Sequence, residues 1–458
     1  MRHEMVPPKP VLKLRTNRFT GRWTWSSRRV KLIAFSSAVM SLIGGRASAA
    51  PFDASYFGFS TNASNNYQAM RVMETYANSN HGVSVTFNPG TYVVNLPVSG
   101  EPGYRGLQQG ACMMADVSGV TIDAANAEFY CTNLNSSEQS VFRLKSCTNV
   151  TINAQFRGVH TGFGPGTKAI HLVSNNSAVK LKVKTTRMWD GVSIGDYADP
   201  FAAPTYEGNH NITVTATNTD TFYGVVAWLT RDINIVSESE GTSANSFGAH
   251  RNVYIAGCTN VLAHSYFKNL NVPDGCNLIT SAPSAVSPHH FGCSNVTLYA
   301  TDTGTTHYVQ YQSVVKLGVI TSPVSATNIQ HKHIQIHVVA PSTTTMRTNN
   351  YAIAIGSLGA GAEHSFDDIT LSGTFERGPS NIQATVQIES NLIGLSSLQL
   401  ILNDFHDAPA PRKFSVIVAS SLPKAVIEAA YSDINQVYLV APAKQTFQNY
   451  GQRSAPRK

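Results

Sequence analysis

The sequence predicts an all-β solenoid, a single-domain parallel β-helix of about ten or eleven coils with a short capping α-helix at its N-terminal end. Three observations lead to this fold class. Short runs alternate apolar with other residues, which is the period of a strand. A small polar corner joins two such runs within residues 251–267, Gly257-Cys258-Thr259-Asn260. The same corner with its second strand recurs at residues 147–152 and 293–298.

The basic charge of the chain is concentrated before Ala50. The whole sequence has 34 Lys and Arg against 27 Asp and Glu, a formal net charge of +7. Ten of those basic residues and one acidic residue lie in residues 1–49, so the remainder has 24 basic and 26 acidic residues and a formal charge of −2. A nucleic-acid partner therefore has no electrostatic support, and we expect none.

Residues 1–49 have the parts of an export signal. A basic segment ends at Lys31, an apolar run extends from residue 32 to 43, and Ala47-Ser48-Ala49 precedes a predicted cleavage site before Ala50. Arg28-Arg29 suggests the twin-arginine route, although Lys31 occupies a position that is usually apolar in that signal. No segment is long enough to span a bilayer comfortably. We expect a secreted or periplasmic protein; an uncleaved anchor or a misassigned start is the alternative.

Residues 50–107 are predicted to form an N-terminal cap. Ala69, Met70, Met73 and Ala77 recur at helical spacing and predict a helix over residues 65–77, with Asn65 or Asn66 as its N-cap. A strand over residues 83–87 and an Asn-Pro-Gly turn follow. Since a stack of coils leaves an open edge, this helix is well placed to cover the first coil.

Residues 108–441 are predicted to form the coils, and 442–458 a disordered tail. Strand starts recur at roughly 22 to 44 residues, a spacing that indicates a solenoid. The predicted first strands of successive coils are 112–114, 141–144, 169–172, 191–194, 224–227, 252–255, 277–280, 308–311, 352–355, 385–388 and 415–418. The predicted second strands include 120–122, 179–181, 212–214, 233–235, 334–336, 369–371, 398–400 and 437–439.

The six cysteines lie far apart, and no C-x-x-C motif occurs among them. This spacing disfavours a zinc ribbon or a redox motif. Several of them fall at repeat corners, where Cys acts as a small hydrophobic residue that stacks on the next coil. Export permits disulfides, but the sequence does not give their connectivity.

The N-terminal pattern also carries a family resemblance. Phe57-Gly58, Thr61-Asn62, Asn65-Asn66, Ala69-Met70 and Pro89-Gly90-x-Tyr92, with the coils behind them, resemble the pectate-lyase-like right-handed parallel β-helix proteins over about residues 52–440. That superfamily includes polysaccharide lyases, galacturonan hydrolases, uronate epimerases, phage tail-spike depolymerases and non-catalytic adhesins. The resemblance implies a right-handed coil but does not select a reaction.

Motifs of individual enzyme families are incomplete. Asn218-Thr219-Asp220 matches one polygalacturonase element, but no Asp-Asp follows in the next coil, and Gly-His-Gly and Arg-Ile-Lys are absent. We interpret Asn218 and Asp220 as turn residues. Ser287-Pro288-His289-His290 only faintly resembles the Asp-Pro-His-Asp of alginate epimerases. Asp367-Asp368 precedes a strand and is interpreted as a corner.

Candidate site residues come from the outward positions of the first strands. Stacked coils bring such positions about 5 Å apart from layer to layer. The predicted outward column is Arg143, His171, Ser193, Val226, Tyr254, Ile279 and Gln310. From it and its surroundings we predict His250, Arg251, Tyr254 and Asp190 as catalytic residues and Arg143, His171, Trp228 and Gln310 as substrate-binding residues. For each residue alone, a solvated surface role is the alternative.

The chemistry of these groups favours an acidic polysaccharide. β-Elimination needs a cation to neutralise a uronate carboxylate, here Arg143 or Arg251, and a base, here His250, His171 or Tyr254. Hydrolysis needs two carboxylates across the bond, and no pair stands out among Asp190, Asp196, Asp199, Glu207 and Asp220. Trp189 and Trp228 are able to stack on sugar rings or to fill the core.

We therefore expect a protein that acts on an extracellular or cell-wall polysaccharide as a lyase or hydrolase. The alternative is a non-catalytic glycan-binding or surface adhesin of the same fold. No cofactor or metal is expected, because no calcium loop occurs and no Asp, Glu or Cys accompanies His331, His333 and His337. A lyase could nevertheless use Ca²⁺. A homotrimer and a monomer are both possible.

Overall fold

Two long parallel sheets wind around one apolar core in the computed structural model of the protein. The structure describes residues 50–106, 108–132, 139–160, 166–195, 208–242, 251–270, 275–283, 290–303, 313–318, 326–340, 350–356, 362–377, 382–388, 392–395, 398–406, 414–418, 426–431, 437–439 and 446–449. Residues 50 to 458 form one compact unit. The predicted export signal, residues 1–49, lies outside the described residues.

The described elements are two short helices and thirty strands. The 3₁₀-helix spans Ala54–Phe57, and the α-helix, α1, spans Tyr67–Ser79. The strands are β1 (Phe52–Asp53), β2 (Ser84–Thr86), β3 (Gly90–Val93), β4 (Gly110–Ala115), β5 (Thr121–Tyr130), β6 (Ser140–Lys145), β7 (Thr151–Arg157), β8 (Lys168–Leu172), β9 (Ser177–Thr186), β10 (Asp190–Ile194), β11 (His210–Thr219), β12 (Tyr223–Trp228), β13 (Arg231–Glu240), β14 (Arg251–Ala256), β15 (Thr259–Lys268), β16 (Gly275–Thr280), β17 (Ala282–Pro283), β18 (His290–Phe291), β19 (Ser294–Asp302), β20 (Ser313–Leu317), β21 (Ala326–Ala340), β22 (Asn350–Ile355), β23 (Ala362–Arg377), β24 (Ile382–Ile388), β25 (Leu392–Leu395), β26 (Leu398–His406), β27 (Phe414–Val418), β28 (Val426–Tyr431), β29 (Val437–Leu439) and β30 (Thr446–Asn449).

Strands of successive coils pair in parallel. Over the described residues, the twelve-stranded sheet runs β4-β6-β8-β10-β12-β14-β16-β20-β22-β24-β27-β29. The sixteen-stranded sheet runs β1-β2-β5-β7-β9-β11-β13-β15-β19-β21-β23-β26-β28-β30, with β3 beside β5 and β25 beside β23. A two-stranded antiparallel sheet, β17-β18, stands apart. This topology is the predicted right-handed parallel β-helix.

Strict alternation explains why these sequences form strands. Ile233 and Ile235 of β13 are buried, whereas Asn234 and Val236, which alternate with them, are exposed. One such strand cannot bury its apolar side alone, so stacking of coils is what creates the core. That core runs continuously from Ala54 to Ile388 among the described side chains.

The recurring corner has a definite conformation. Asn149, Asn260 and Asn295 all have positive φ, at 54°, 56° and 53°. Asn tolerates this left-handed region better than other residues with a Cβ. Asn295 Nδ2 donates to Asn260 Oδ1 at 3.0 Å, which links successive corners. Cys147, Cys258 and Cys293, each two residues before these Asn, are fully buried, as the corner interpretation predicts.

A polar stack crosses the interior beside the apolar core. Asn252 Oδ1 accepts from Ser237 Oγ at 2.6 Å and from Ser239 Oγ at 2.7 Å, and its Nδ2 donates to Ser265 Oγ at 2.7 Å. Ser265 Oγ in turn donates to Asn277 Oδ1 at 2.5 Å. Because every one of these side chains has partners, the stack is tolerated at full burial.

Helix α1 lies against β4, the first strand of the twelve-stranded sheet. Glu74 is 4% exposed, and its carboxylate accepts from Arg105 Nη1 at 3.1 Å and from the Met113 amide at 2.7 Å. Asn66, one of the two predicted asparagines, is the N-cap but makes no side-chain capping bond, whereas Asn65 Oδ1 accepts from the Tyr67 amide at 3.0 Å. Among the residues described here, no helix has the length and apolar character needed to cross a membrane.

Three strand predictions need correction. Strand 308–311 lies outside the described residues, and β20, Ser313–Leu317, takes its place in the twelve-stranded sheet. Strand β29 pairs with β27 in that sheet, so it is a first strand rather than the predicted second one. Strand β30 lies in the predicted disordered tail and pairs with β28, because the edge of the last coil offers free backbone groups.

Candidate functional site

The outward side of the twelve-stranded sheet brings three of the predicted site residues, Arg143, His171 and Tyr254, into one column. Register aligns Met113, Arg143, His171, Ser193, Val226, Tyr254, Leu278 and Lys316. The prediction placed Ile279 and Gln310 in the last two positions, and both are wrong: Leu278 and Lys316 hold them. Ile279 faces the core, since Asn277 rather than Leu278 pairs with Val253. Gln310 lies outside the described residues.

A second row lies at the beginning of the same strands. Lys168, Asp190, Tyr223 and Arg251 follow one another in β8, β10, β12 and β14. Direct pairing joins Tyr223 to Asp190 on one side and to Arg251 on the other. Four consecutive coils thus carry a cation, a carboxylate, a phenol and a guanidinium at a spacing of about 4.8 Å.

The N-terminal part of this face holds a buried cation–imidazole contact. Arg143 Nη1 lies 2.9 Å from His171 Nδ1, and His171 Nε2 lies 3.1 Å from the Gly195 carbonyl oxygen. A carbonyl only accepts, so Nε2 carries the proton and Nδ1 accepts from Arg143. Burial, followed by the charges of Lys168 and Arg143, holds the pKa of His171 well below 6.5. His171 is neutral and fully buried here.

Asp190 is paired within the row. Its Oδ2 lies 3.7 Å from Lys168 Nζ, and the two side chains are 4% and 10% exposed. Asp190 is also the one carboxylate in the described strands of the twelve-stranded sheet. Of the acids near the ends of the other strands, Asp220 accepts from the amide of Thr242 at 2.8 Å, and Glu240 pairs with Lys268 at 2.9 Å.

Aromatic rings form a continuous set across three coils. Trp189 stacks on Phe222, with ring centroids 4.3 Å apart and planes inclined by 20°. Tyr223 lies 6.1 Å from Trp189 and 6.1 Å from Tyr254, and Tyr254 lies 4.9 Å from Trp228. Trp189, Tyr223 and Trp228 are partly exposed. We call Trp189, Tyr223, Tyr254 and Trp228, together with Arg251, the aromatic face.

Arg251 places positive charge within the aromatic face. Its guanidinium carbon lies 5.7 Å from the ring centroid of Tyr223 and 5.6 Å from that of Tyr254. Both distances are within the range of cation–π attraction. The residue is 4% exposed, so its charge acts in surroundings of lower dielectric than water. The face combines planar apolar surface with a cation, a combination suited to a sugar chain that carries negative charge.

The structure thus brings together four of the eight predicted site residues, Asp190, Arg251, Tyr254 and Trp228. Arg143 and His171 form their own contact in β6 and β8, and His250, like Gln310, lies outside the described residues. Sequence reasoning missed Tyr223, although its position before Gly-Val repeats that of Asp190 before Gly-Val. It also missed Lys168, since no alternation marks a strand's first residue.

Two predicted turn elements have structural roles. Asn218 is 1% exposed and donates to Ser237 and Ser239, while Asp220 has a φ of 47°. Asp220 is therefore a turn residue as predicted, whereas Asn218 lies within β11 and belongs to the buried polar side chains of the interior. Asp368 also has positive φ, at 56°, and its Oδ2 lies 2.7 Å from His333 Nδ1, as a corner residue would.

The three alternating histidines have separate environments. His331 is buried against Phe366, with ring centroids 4.9 Å apart, and its Nδ1 accepts from the Cys293 amide. His337 Nδ1 lies 3.0 Å from Ser372 Oγ. Within the described part of the chain, no three His, Cys, Asp or Glu side chains are grouped to hold a metal ion. Residues for a Ca²⁺ ion are therefore not assigned.

Comparison with known proteins identifies the fold. No protein-family model and no curated protein matches the chain. A double mutant of the tailspike protein of E. coli bacteriophage HK620 matches at a TM-score of 0.52 and 12% identity, over 83% of this chain and 72% of that one. Another mutant of that tailspike, in complex with a hexasaccharide, matches at 0.51 and 11%, over 88% and 75%. The Azotobacter vinelandii mannuronan C-5 epimerase AlgE6 A-module matches at 0.36 and 10%, over 89% and 100%. The chain has the pectate-lyase-like right-handed parallel β-helix fold.

Proposed function

We propose that the protein is an exported polysaccharide lyase that binds an acidic polysaccharide along the aromatic face and cleaves it by β-elimination. The observation that carries the proposal is the guanidinium of Arg251 within 6 Å of both Tyr223 and Tyr254. A uronate unit presents an apolar sugar face beside a carboxylate, and this arrangement offers a partner for each.

The chemistry assigns a role to each group. Arg251 neutralises the uronate carboxylate, which makes the adjacent C5 proton easier to remove. A base, Tyr254 or the predicted His250, takes that proton. The electron pair forms the C4–C5 double bond, and the C4–O bond breaks. The departing oxygen takes a proton from an acid at the same face, and we assign this role to the hydroxyl of Tyr223.

Charge is the reason to prefer elimination over hydrolysis. Hydrolysis uses two carboxylates placed across the scissile bond. The described strands of the twelve-stranded sheet supply one, Asp190, and Lys168 already pairs with it. Elimination needs no carboxylate pair.

The solved structures supply separate support for a glycan ligand. The HK620 tailspike, whose fold is similar, binds a hexasaccharide. Polysaccharides of this class lie outside the cell, in agreement with the export signal predicted in residues 1–49. A monomer or a homotrimer could present such a face.

An assay of unsaturated products tests the proposal. The protein is incubated with polygalacturonate, alginate and hyaluronan as acidic probes, and ultraviolet absorbance of the new double bond is followed together with reducing ends. We expect absorbance to rise with at least one probe. Arg251→Ala should lower kcat/KM by about 100-fold, and Arg251→Lys by less, since the charge remains without the planar fork. Arg231→Ala, an exposed arginine of β13, is the control and should leave the rate unchanged.

The alternative is binding without cleavage, which the incomplete enzyme-family motifs of the sequence favour. It predicts no new absorbance and no new reducing ends, while an acidic probe still retards the protein in affinity electrophoresis. Reducing ends without absorbance would show hydrolysis and contradict the elimination proposal.

A further inference from the structure

The sixteen-stranded sheet carries a second group of exposed rings, on a different face of the coil. Leu262, Tyr266 and Tyr299 are each 40% exposed, and Val236 is 43% exposed. A contiguous exposed apolar patch rimmed by polar residues marks an interaction site. We call Leu262, His264, Tyr266, Tyr299 and His337 the flat patch; Val236 borders it.

Register gives the flat patch a regular geometry. His264, Tyr299 and His337 pair directly in β15, β19 and β21 and form one column along the axis of the coil. The rings of His264 and Tyr299 are stacked, with centroids 4.8 Å apart and planes inclined by 9°. Tyr299 and His337 follow at 5.8 Å. The column therefore presents three rings at the repeat of the coil, about 4.8 Å.

The composition of the surrounding positions is informative about the ligand. Three outward positions in each of these three strands make nine: Leu262, His264, Tyr266, Thr297, Tyr299, Thr301, Gln335, His337 and Val339. None of the nine is Lys, Arg, Asp or Glu. The charged side chains of this sheet lie outside these nine positions: Lys332 lies nearer the start of β21, Lys180 lies in β9, and Glu238 of β13 pairs with Tyr266 at the border of the flat patch. The nine positions therefore supply no Lys or Arg for an anionic ligand, and the carboxylate of Glu238 lies at their border.

Hydrogen-bonding groups alternate with the rings. Thr297 and Thr301 flank Tyr299 within β19, and Gln335 flanks His337 within β21. An interface between two copies of a chain has a more apolar centre than this. Planar rings interleaved with hydroxyl, amide and imidazole groups match a chain of neutral sugars, whose faces are apolar and whose edges carry hydroxyls.

We infer that the flat patch is a second glycan site that binds an extended, uncharged polysaccharide running along the axis of the coil. The inference shares with the proposed function only the assumption of a polysaccharide ligand. It concerns other residues, the opposite sheet and a ligand of different charge. Such a site would hold the protein on a neutral matrix while the aromatic face engages an acidic chain.

Binding to neutral polysaccharides tests the inference. Cellulose and chitin are used in pull-down assays, and xyloglucan and galactomannan in affinity electrophoresis. We expect the protein to bind at least one of the four. Tyr299→Ala should weaken that binding about tenfold, because the central ring of the column is lost. Tyr299→Phe keeps the ring and should remain close to the wild type.

Two controls separate this site from the aromatic face. Tyr56→Ala removes a tyrosine that is 65% exposed in the N-terminal segment, and it should bind as the wild type does. Arg251→Ala should keep neutral-polysaccharide binding even if it loses all action on acidic probes. If the lyase proposal fails, the expected binding of neutral polysaccharides is unaffected. If that binding is not found, the lyase proposal is unaffected.

Three results would overturn the inference. The first is that the wild type binds none of the four neutral probes. The second is that Tyr299→Ala binds as tightly as the wild type. The third is that Tyr299→Ala converts an oligomer to a monomer in sedimentation velocity, which would assign the flat patch to self-association.

Discussion

The guanidinium of Arg143 donates to Nδ1 of His171 at 2.9 Å, while Nε2 of the same ring donates to the Gly195 carbonyl at 3.1 Å. This arrangement selects one tautomer of a neutral imidazole. A proton on Nδ1 would face Arg143 directly and would leave the guanidinium without this acceptor. His171 therefore acts as a neutral hydrogen-bond acceptor for the buried guanidinium of Arg143. Protonation of the ring would break this contact.

His171 should make the protein lose stability below pH 6.5. Its folded pKa lies below the ordinary value of 6.5, so the unfolded chain binds more protons than the folded one once the pH falls under 6.5. The contribution of neutral His171 to the free energy of unfolding is complete above pH 6.5. It decreases as the pH falls toward the folded pKa, by at most about 1.4 kcal/mol per pH unit. Urea unfolding followed by fluorescence between pH 8 and 5 measures this slope.

A substitution isolates the contribution of His171. In His171→Asn, an amide oxygen near the Nδ1 position can still accept from Arg143, and no group titrates. This variant should be less stable at pH 8 by about 1–3 kcal/mol and should show a shallower slope below pH 6.5. Asn234→Ala, which changes an exposed side chain of the other sheet that does not titrate, should keep the wild-type slope. An unchanged slope in His171→Asn would contradict the assignment.

Lys168 and Asp190 should show strong coupling in a double-mutant cycle. Asp190→Asn leaves the ammonium of Lys168 nearly buried without its carboxylate, and we expect a loss of about 3 kcal/mol. Lys168→Met in the same chain should restore part of that loss, because the buried charge is removed with its partner. Additive losses in the double variant would show that the 3.7 Å contact contributes nothing. The free energy of unfolding of all four chains is the measurement.

Tyr223 should contribute to polysaccharide binding through its ring. It is partly exposed between Trp189 and Tyr254, so Tyr223→Ala removes the centre of the aromatic face. We expect about tenfold weaker binding of an acidic probe in affinity electrophoresis. Tyr223→Phe should keep binding but lose turnover if the hydroxyl protonates the leaving oxygen. Equal turnover of the Phe variant and the wild type would remove Tyr223 from the chemistry.

Asn252 should be among the most sensitive positions of the interior. Asn252→Ala leaves the hydroxyls of Ser237 and Ser239 without their shared acceptor and opens a small cavity. We expect a loss of about 3 kcal/mol. Asn234→Ala changes an exposed asparagine of β13 in the same way and should stay within about 0.5 kcal/mol of the wild type. Thermal or urea unfolding of the two variants checks the difference.

The same interior stack shows where sequence reasoning works and where it fails. Period-two alternation predicted the column from Arg143 through Tyr254 correctly, because apolar side chains face inward along β6 to β14. It failed at β16, where Asn277 faces inward and accepts from Ser265. Alternation places the polar side chain of Asn277 on the outward side. The predicted strand is therefore shifted by one residue, and Ile279 instead of Leu278 is predicted to face outward. A hydrogen-bond partner in another strand carries no local signal.

The site itself was predictable only in part. Arg251 and Asp190 were found because charged residues stand out at the start of a strand. Tyr223 was overlooked since a tyrosine there is equally suited to packing, and only the stacking of three coils makes it the centre of the aromatic face. The flat patch depends on register between β15, β19 and β21, which neither spacing nor composition specifies.

The six cysteines should be present as unreactive thiols. All six are free and buried, and burial raises the pKa of Cys131 and of Cys293 to about 12. Since the thiolate is the reactive form, we expect almost no reaction with a disulfide reagent at pH 8 in the folded state and six thiols per chain in denaturant. Rapid reaction of the folded protein would show that a corner opens, and fewer than six thiols in denaturant would show a disulfide. Thiols at stacked corners such as Cys258 and Cys293 should react only when the coils on either side separate, so their rate of reaction measures the opening of the stack.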